Sequence, residues 1–337
     1  MAKYKTPIID QEALQKQHEE ELAVLLGTIR HDSGNKKRLR IHQGWWRAFV
    51  LGLTEGDYYD KHNKEWKRVC NRTFIETTEK DINFLTPQVI QAARRALKER
   101  DKSNPGLIEE TRLNFNLLSS QPLCFNFFGE LSLDKGFGIK VLRKWWPELT
   151  ELKKVIFEFA PLERFTNDNS AFDIAFEVTK GNQSGLIGLE CKYTDSFSST
   201  EYDKPAYLEI YSKSKSFSSS YEDLKSKRFN QLFRSQLIAE ALIQHKRYDF
   251  VLTGLFCYDE DESAISTANE FKKKLTNPDD FTLIKYREFI GKVQQLDLDW
   301  RQREWTMLLW ARYCATILSE RVVPKKSKSL KLNSNKG

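Results

Sequence analysis

The chain has 337 residues, 40% hydrophobic and 12% aromatic, with 54 Lys and Arg against 47 Asp and Glu for a formal charge of +7. That is ample apolar material for a buried core, in one large domain or two ordinary ones, which excludes a disordered or fibrous chain. No uninterrupted apolar run of about 18 residues occurs, and the N-terminal stretch "MAKYKTPIIDQEALQKQHEEE" turns polar where a signal peptide needs its apolar segment, so the reading is cytosolic with no membrane span.

In chain order, residues 10–29 place Leu14, Leu22, Leu25, Leu26 and Ile29 among many charges, the pattern of an amphipathic helix. A second helix is expected after Gly44. "NFLTPQVIQAARRALKER" predicts a helix entered through Thr86 and Pro87, an N-cap followed by proline at the first helical position. "DKSNPG" then breaks the pattern, so residues 1–105 read as a mainly helical N-terminal region. Two basic clusters, "NKKRLRIHQGWWR" and "QAARRALKERDK", could meet phosphate, but a solvated helix face is the default for such charge runs.

Past the break, Ser119, Ser120 and Gln121 can start a helix carrying Leu123, Phe127, Phe128 and Leu131, with Glu130 near its end. "KKVIFEFAP" predicts a strand, and "AFDIAFEVTKGNQSGLIGLECKYTD" two more around a turn. "SKSKSFSSS" reads as a mobile loop, residues 221–246 as helix and "YDFVLTGLFCY" as strand. A last helical segment carries Trp300, Trp305 and Trp310, expected in the core. The final thirteen residues hold five lysines and no acids, which reduces the charge of the body to +2 and suggests a disordered basic tail over 324–337. Five scattered cysteines without a CxxC pair point to reduced thiols, not a zinc site.

The paired strands carry the chemistry. If Lys180 and Gly185 close a four-residue loop, Phe172, Ile174, Phe176 and Val178 face Tyr193, Cys191, Leu189 and Ile187 on one apolar surface. The opposite surface then gathers Asp173, Glu190 and Lys192 at one end, with small Ala175 and Gly188 beside them, while Glu177 falls by the turn. Two converging carboxylates suit Mg²⁺, for which Mn²⁺ can substitute, and the carbonyl of Cys191 could add a ligand. A lysine on the same face can orient a water or help deprotonate it, which is the chemistry of phosphodiester hydrolysis. The bland alternative is a hairpin whose wet face carries an acid–lysine pair worth little; acid-x-Lys also occurs at Glu65, Glu151, Asp223 and Glu270.

Taken together, "NFLTP", "LLSSQPLCFNFFGEL", "FEFAP", "SAFDIAFEV" and "GLIGLECKYTD" resemble the PD-(D/E)XK nuclease superfamily, in particular a group of bacterial restriction-endonuclease-like proteins. The resemblance implies a mixed α/β fold with an αβββαβ core inside residues 106–323 and added terminal helices. It puts the metal acid of the second strand on Asp173, the Glu and Lys of the ExK signature on Glu190 and Lys192, and the acid of the first core helix on Glu130. Gln231, Arg234 and Gln236 resemble polar, phosphate-facing positions. Phe172 stands where the family has proline, and "APLERFTNDNS" lacks the glycine and arginine expected after the proline. A DNA endonuclease of restriction or phage defence is implied, on double-stranded DNA, with a homodimer or a defence-system partner left open. The alternative is a catalytically silent nucleic-acid or protein-binding module on a nuclease fold.

Overall fold

The computed structural model describes residues 34–60, 62–69, 71–73, 80–103, 106–198 and 200–322. The helix expected over residues 10–29 and the basic tail lie outside the described residues. The first helix, α1 (Gly34–Trp45), runs on into a wider turn at Trp46–Val50, so the helix expected after Gly44 begins ten residues earlier. Its charged start is solvated while Leu39 to Gly44 are buried, Arg40, His42 and Gln43 among them, so the charge run hides a buried half. A hairpin of β1 (Gly56–Asp60) and β2 (Glu65–Val69) interrupts the helical region, closed by the Tyr59 and Trp66 rings 5.5 Å apart.

Helix α2 (Pro87–Ser103) begins as expected, with Thr86 Oγ1 accepting the Val89 N–H at 3.2 Å. After α3 (Glu110–Phe115), Ser119 caps α4 (Ser120–Leu133), and α5 (Lys135–Leu142) leads into the sheet. Three strands, β3 (Glu151–Phe159), β4 (Phe172–Lys180) and β5 (Gln183–Lys192), form an antiparallel meander. Helices α6 (Pro205–Lys213), α7 (Tyr221–Leu224) and α8 (Asn230–Gln244) then cross over, and β6 (Phe250–Cys257) joins β5 in parallel. After α9 (Glu262–Lys272), β7 (Phe281–Lys285) completes a five-stranded sheet of order β3-β4-β5-β6-β7. The αβββαβ order expected from residue 119 onward is present. Helices α10 (Tyr286–Gln294) and α11 (Trp300–Leu309) close the fold, with a last 3-10 segment at Thr316–Val322.

Both faces of the sheet are covered, which is why β5, at its centre, is buried from Gly185 to Lys192. On one face Phe125, Phe127 and Phe128 of α4 pack on Phe157, Phe176 and Phe256 of the sheet. Leu39 of α1, Val89 and Ala93 of α2, and Trp305 of α11 belong to the same core. Of the three tryptophans expected inside, only Trp305 is buried; Trp300 is 72% exposed and Trp310 lies at the surface. On the other face Ile238, Ala239 and Leu242 of α8 cover Ala175, Leu186 and Val251. The serine-rich loop is tied down rather than loose: Phe217 bridges to Leu275 and stacks edge-on against Phe233.

The hairpin register differs from the expected one. Lys180 pairs with Gln183 around a two-residue turn at Gly181 and Asn182, so Ile174 faces Leu189 and Phe176 faces Ile187. Gly181 takes φ +57°, a backbone that glycine adopts without strain and that two-residue hairpin turns require. The shift is by an even number of positions, so each residue keeps its face of the sheet. Phe172 is the exception: its ring packs in the α8 cluster, where a Cβ on Gly188 would come within 2.5 Å of it. The space beside the acids that Gly188 was expected to leave open is therefore filled by Phe172.

Candidate active site

Glu190 and Lys192 project from the buried end of β5, 6% and 7% exposed, with Lys192 Nζ 3.0 Å from Glu190 Oε1. Gln231, in the first turn of α8, joins them: its Nε2 donates to Glu190 Oε1 at 2.5 Å and its Oε1 accepts from Lys192 Nζ at 2.9 Å. Lys192 Nζ also lies 5.2 Å above the Phe197 ring. Across the gap, the β4–β5 ladder ends at Ile174 and Leu189, and Asp173 Oδ2 accepts the Cys191 N–H at 2.6 Å. A carboxylate thus takes up a backbone donor where the strands part.

A third acid stands here, outside the β4–β5 hairpin: the β3–β4 register pairs Phe157 with Ile174 and Phe159 with Phe172, which sets Glu158 opposite Asp173. Glu158, next to last in β3, accepts from Gln121 Nε2 at 2.7 Å. Its φ is +50°, and its carbonyl lies against Gly106, where a Cβ would collide with it. The cue was present in "FEF", an acid between two phenylalanines of a predicted strand, the same anomaly that drew attention to Asp173.

The electrostatics reflect the crowding. Burial, then repulsion from Glu190 and Glu158, holds the Asp173 carboxyl well above the usual carboxylate range. Burial raises Glu158 to about 7, opposed by the Gln121 hydrogen bond and assisted by Glu190. For Lys192 burial works against the charge, but attraction from Glu190 and Asp173 outweighs it and raises the ammonium above its ordinary value.

The remaining expected residues are placed differently. Glu130 lies apart from these acids: Thr86 Oγ1 donates to it at 2.6 Å, and burial, with Asp134 and Asp299 nearby, raises its carboxyl. It falls at the end of α4, whereas the start of the same helix, through Gln121, reaches the site. Gln236 is not joined to these acids; it is buried between α8 and β6, accepting from Thr253 Oγ1 at 2.7 Å and donating to Glu240. Arg234, one turn beyond Gln231, donates to Ser170 Oγ from both Nε and Nη2 and lies 4.4 Å over the Tyr202 ring. Asp168 Oδ2 is 3.3 Å from its Nε, so the guanidinium is tied to the β3–β4 loop. The Cys191 side chain points into the core, its sulfur 3.9 Å from that of Cys124. Beside Lys192 opens a cleft of about 1180 Å³, lined by the loop after β5, the start of α1 and the start of α9.

A sequence model of the PD-(D/E)XK nuclease superfamily matches residues 30–315. The chain belongs to that superfamily. Its mixed five-stranded sheet is consistent with the restriction-endonuclease-like α/β fold, and membership implies nuclease activity on nucleic acid, generally with divalent metal ions. No curated protein and no solved structure matches the chain. No helix among the described residues is long and apolar enough to cross a membrane.

The residues present fit a hard divalent cation. Asp173, Glu190 and Glu158 each have one oxygen held by a donor and the other without a hydrogen-bond partner among the described residues. Carboxylate oxygens are the ligands Mg²⁺ takes, and one or two suffice because the ion keeps several waters. No three His, Cys, Asp or Glu side chains among the described residues are placed to hold one ion jointly.

Proposed function

We propose that this superfamily member is a Mg²⁺-dependent endonuclease of double-stranded DNA, acting in the cytosol in restriction or phage defence. The observation that carries the reading is the joined set of Asp173, Glu190, Lys192 and Gln231 at the parted end of β4 and β5. The likeness of the motifs to restriction-endonuclease-like proteins supports DNA as substrate and a defence setting.

Asp173 and Glu190 would hold the cation. When bound, it supplies neutralisation of the carboxylates, polarisation of the scissile phosphate and a lowered pKa for water. Lys192, fixed between Glu190 and Gln231, orients the attacking water and faces the charge that develops on the phosphate. Gln231 keeps both partners in register. Arg234, anchored on Ser170, is the cation of this group that would meet the phosphate backbone.

Incubation with plasmid DNA and Mg²⁺ tests the proposal. Wild-type protein should nick or linearise the plasmid, EDTA should stop it, and Lys192→Ala should lose at least about 100-fold in rate. Equal cleavage by wild type and Lys192→Ala, or none by either on DNA with Mg²⁺ or Mn²⁺, would overturn it. Cleavage of RNA alone would leave the nuclease and remove the DNA assignment.

A further inference from the structure

The three carboxylates share one pattern. Asp173 Oδ2 is held by the Cys191 N–H, Glu190 Oε1 by Gln231 and Lys192, and Glu158 Oε1 by Gln121, which leaves one oxygen of each without a hydrogen-bond partner among the described residues. The hold on Glu158 is itself fixed: Gln121 Nε2 also donates to the Leu107 carbonyl at 2.8 Å, and its Oε1 accepts the Glu109 N–H at 3.2 Å. Both ends of the amide are occupied, so Glu158 is oriented by a side chain that cannot turn without breaking hydrogen bonds.

Charge is left over. Among the described residues neither Glu158 nor Asp173 forms an ion pair, and Lys192 is the one ammonium bridged to the group, at Glu190. With all three carboxylates ionised against the one ammonium, the set would carry a net charge of −2, what a divalent ion neutralises. Yet the acids are not placed to ligate one ion together. An ion as small and strongly hydrated as Mg²⁺ resolves this, because an acid too far to ligate can still accept a hydrogen bond from the ion's hydration water.

We propose that Glu158 is a third acid of the cation site and acts on the bound divalent ion through its hydration shell. The inference rests on the metal-dependent nuclease reading and adds a residue to it, with Gln121 as the group that positions Glu158.

The test is cation binding by the intact protein without nucleic acid. Mn²⁺ uptake is followed by electron paramagnetic resonance, and hexaamminecobalt(III), which has no open coordination position, serves as a mimic of a fully hydrated ion. Wild type should take up Mn²⁺ and Asp173→Asn should not. Glu158→Gln should bind Mn²⁺ about 10- to 100-fold more weakly, the usual cost of losing an outer-shell partner, and hexaamminecobalt(III) more weakly by a similar factor. Gln121→Ala leaves the acid in place and should weaken both in the same direction, which keeps the test open if Glu158→Gln fails to fold. Tight Mn²⁺ binding by Glu158→Gln, with none by Asp173→Asn, would overturn the role of Glu158 and leave the site standing. Weakened Mn²⁺ binding with unchanged hexaamminecobalt(III) binding would make Glu158 a direct ligand and overturn the water-mediated form. No uptake by wild type, or full uptake by Asp173→Asn, would instead remove the cation site itself.

Discussion

Gln231 and Gln236 sit five residues apart on α8 and look alike in sequence, but the helix turns them to different work. Gln231 bonds Glu190 and Lys192; Gln236 bonds Thr253 inside the core. Gln231→Ala should therefore cut kcat/KM about 10- to 100-fold with little change in melting temperature, since a positioning contact is lost from a site facing a cleft. Gln236→Ala should do the reverse, lowering stability by about 1–3 kcal/mol by stranding the Thr253 hydroxyl and leaving DNA affinity unchanged. Chemical denaturation and steady-state cleavage on both variants check this, and a loss of DNA affinity in Gln236→Ala would contradict it. That Asp173, Glu190 and Lys192 gather at one end of the β4–β5 pair was legible in the sequence, because alternation along a strand fixes which side chains share a face. Glu130 was misplaced because helical residues nine apart, such as Gln121 and Glu130, leave opposite ends of a helix, and only the packing of α4 on β3 says which end meets the acids.

At the scale of elements, local chemistry was readable where it is self-contained. Thr86 and Pro87 start α2 because the cap and the proline act within one turn. The hairpin turn was misread because two glycines compete in "TKGNQSGL", and Gly181 next to Asn182 was the stronger signal. The β1–β2 hairpin escaped because five-residue strands with charged faces carry little periodicity. The Phe172 ring over Gly188 is a contact that alternation cannot anticipate, since the strand departs from its ladder there. It gives a clear expectation: Gly188→Ala inserts a methyl within 2.5 Å of that ring and should destabilise by about 1–3 kcal/mol, measured by thermal melting. An unchanged melting temperature would mean that Phe172 can move aside.

Across the whole molecule, the region before β3 and the segment after α11 are sewn together by buried polar groups. Arg312 donates to the carbonyl and side-chain oxygens of Asn83, and Gln43 donates to both the Arg312 carbonyl and the Tyr193 hydroxyl. His42 donates from Nε2 to the Ala311 carbonyl, and burial lowers its pKa from 6.5 to about 4. The unfolded chain therefore holds more protons than the native one between those values, so stability is full above pH 6.5 and falls as the pH drops towards 4. The loss should reach about 2 kcal/mol by pH 5 from this group alone. Urea melts at pH 7.5 and pH 5.0 should show it, with a shallower pH dependence in His42→Asn; identical slopes would exclude His42 as the cause.

The Tyr286–Lys192 hydrogen bond also sets an order of manufacture. A chain emerging from the ribosome presents Asp173, Glu190 and Lys192 early. At that moment it lacks Gln231, the strand β6 that flanks β5, and the Tyr286 hydroxyl that donates to the Lys192 carbonyl. Glu190 and Lys192 are thus translated before Gln231, and Lys192 before Tyr286, the groups that hold them in shape. The last stitches, at Trp305 and Arg312, lie far beyond Lys192 in the chain, so the buried ties around the centre close only after that later segment has been made.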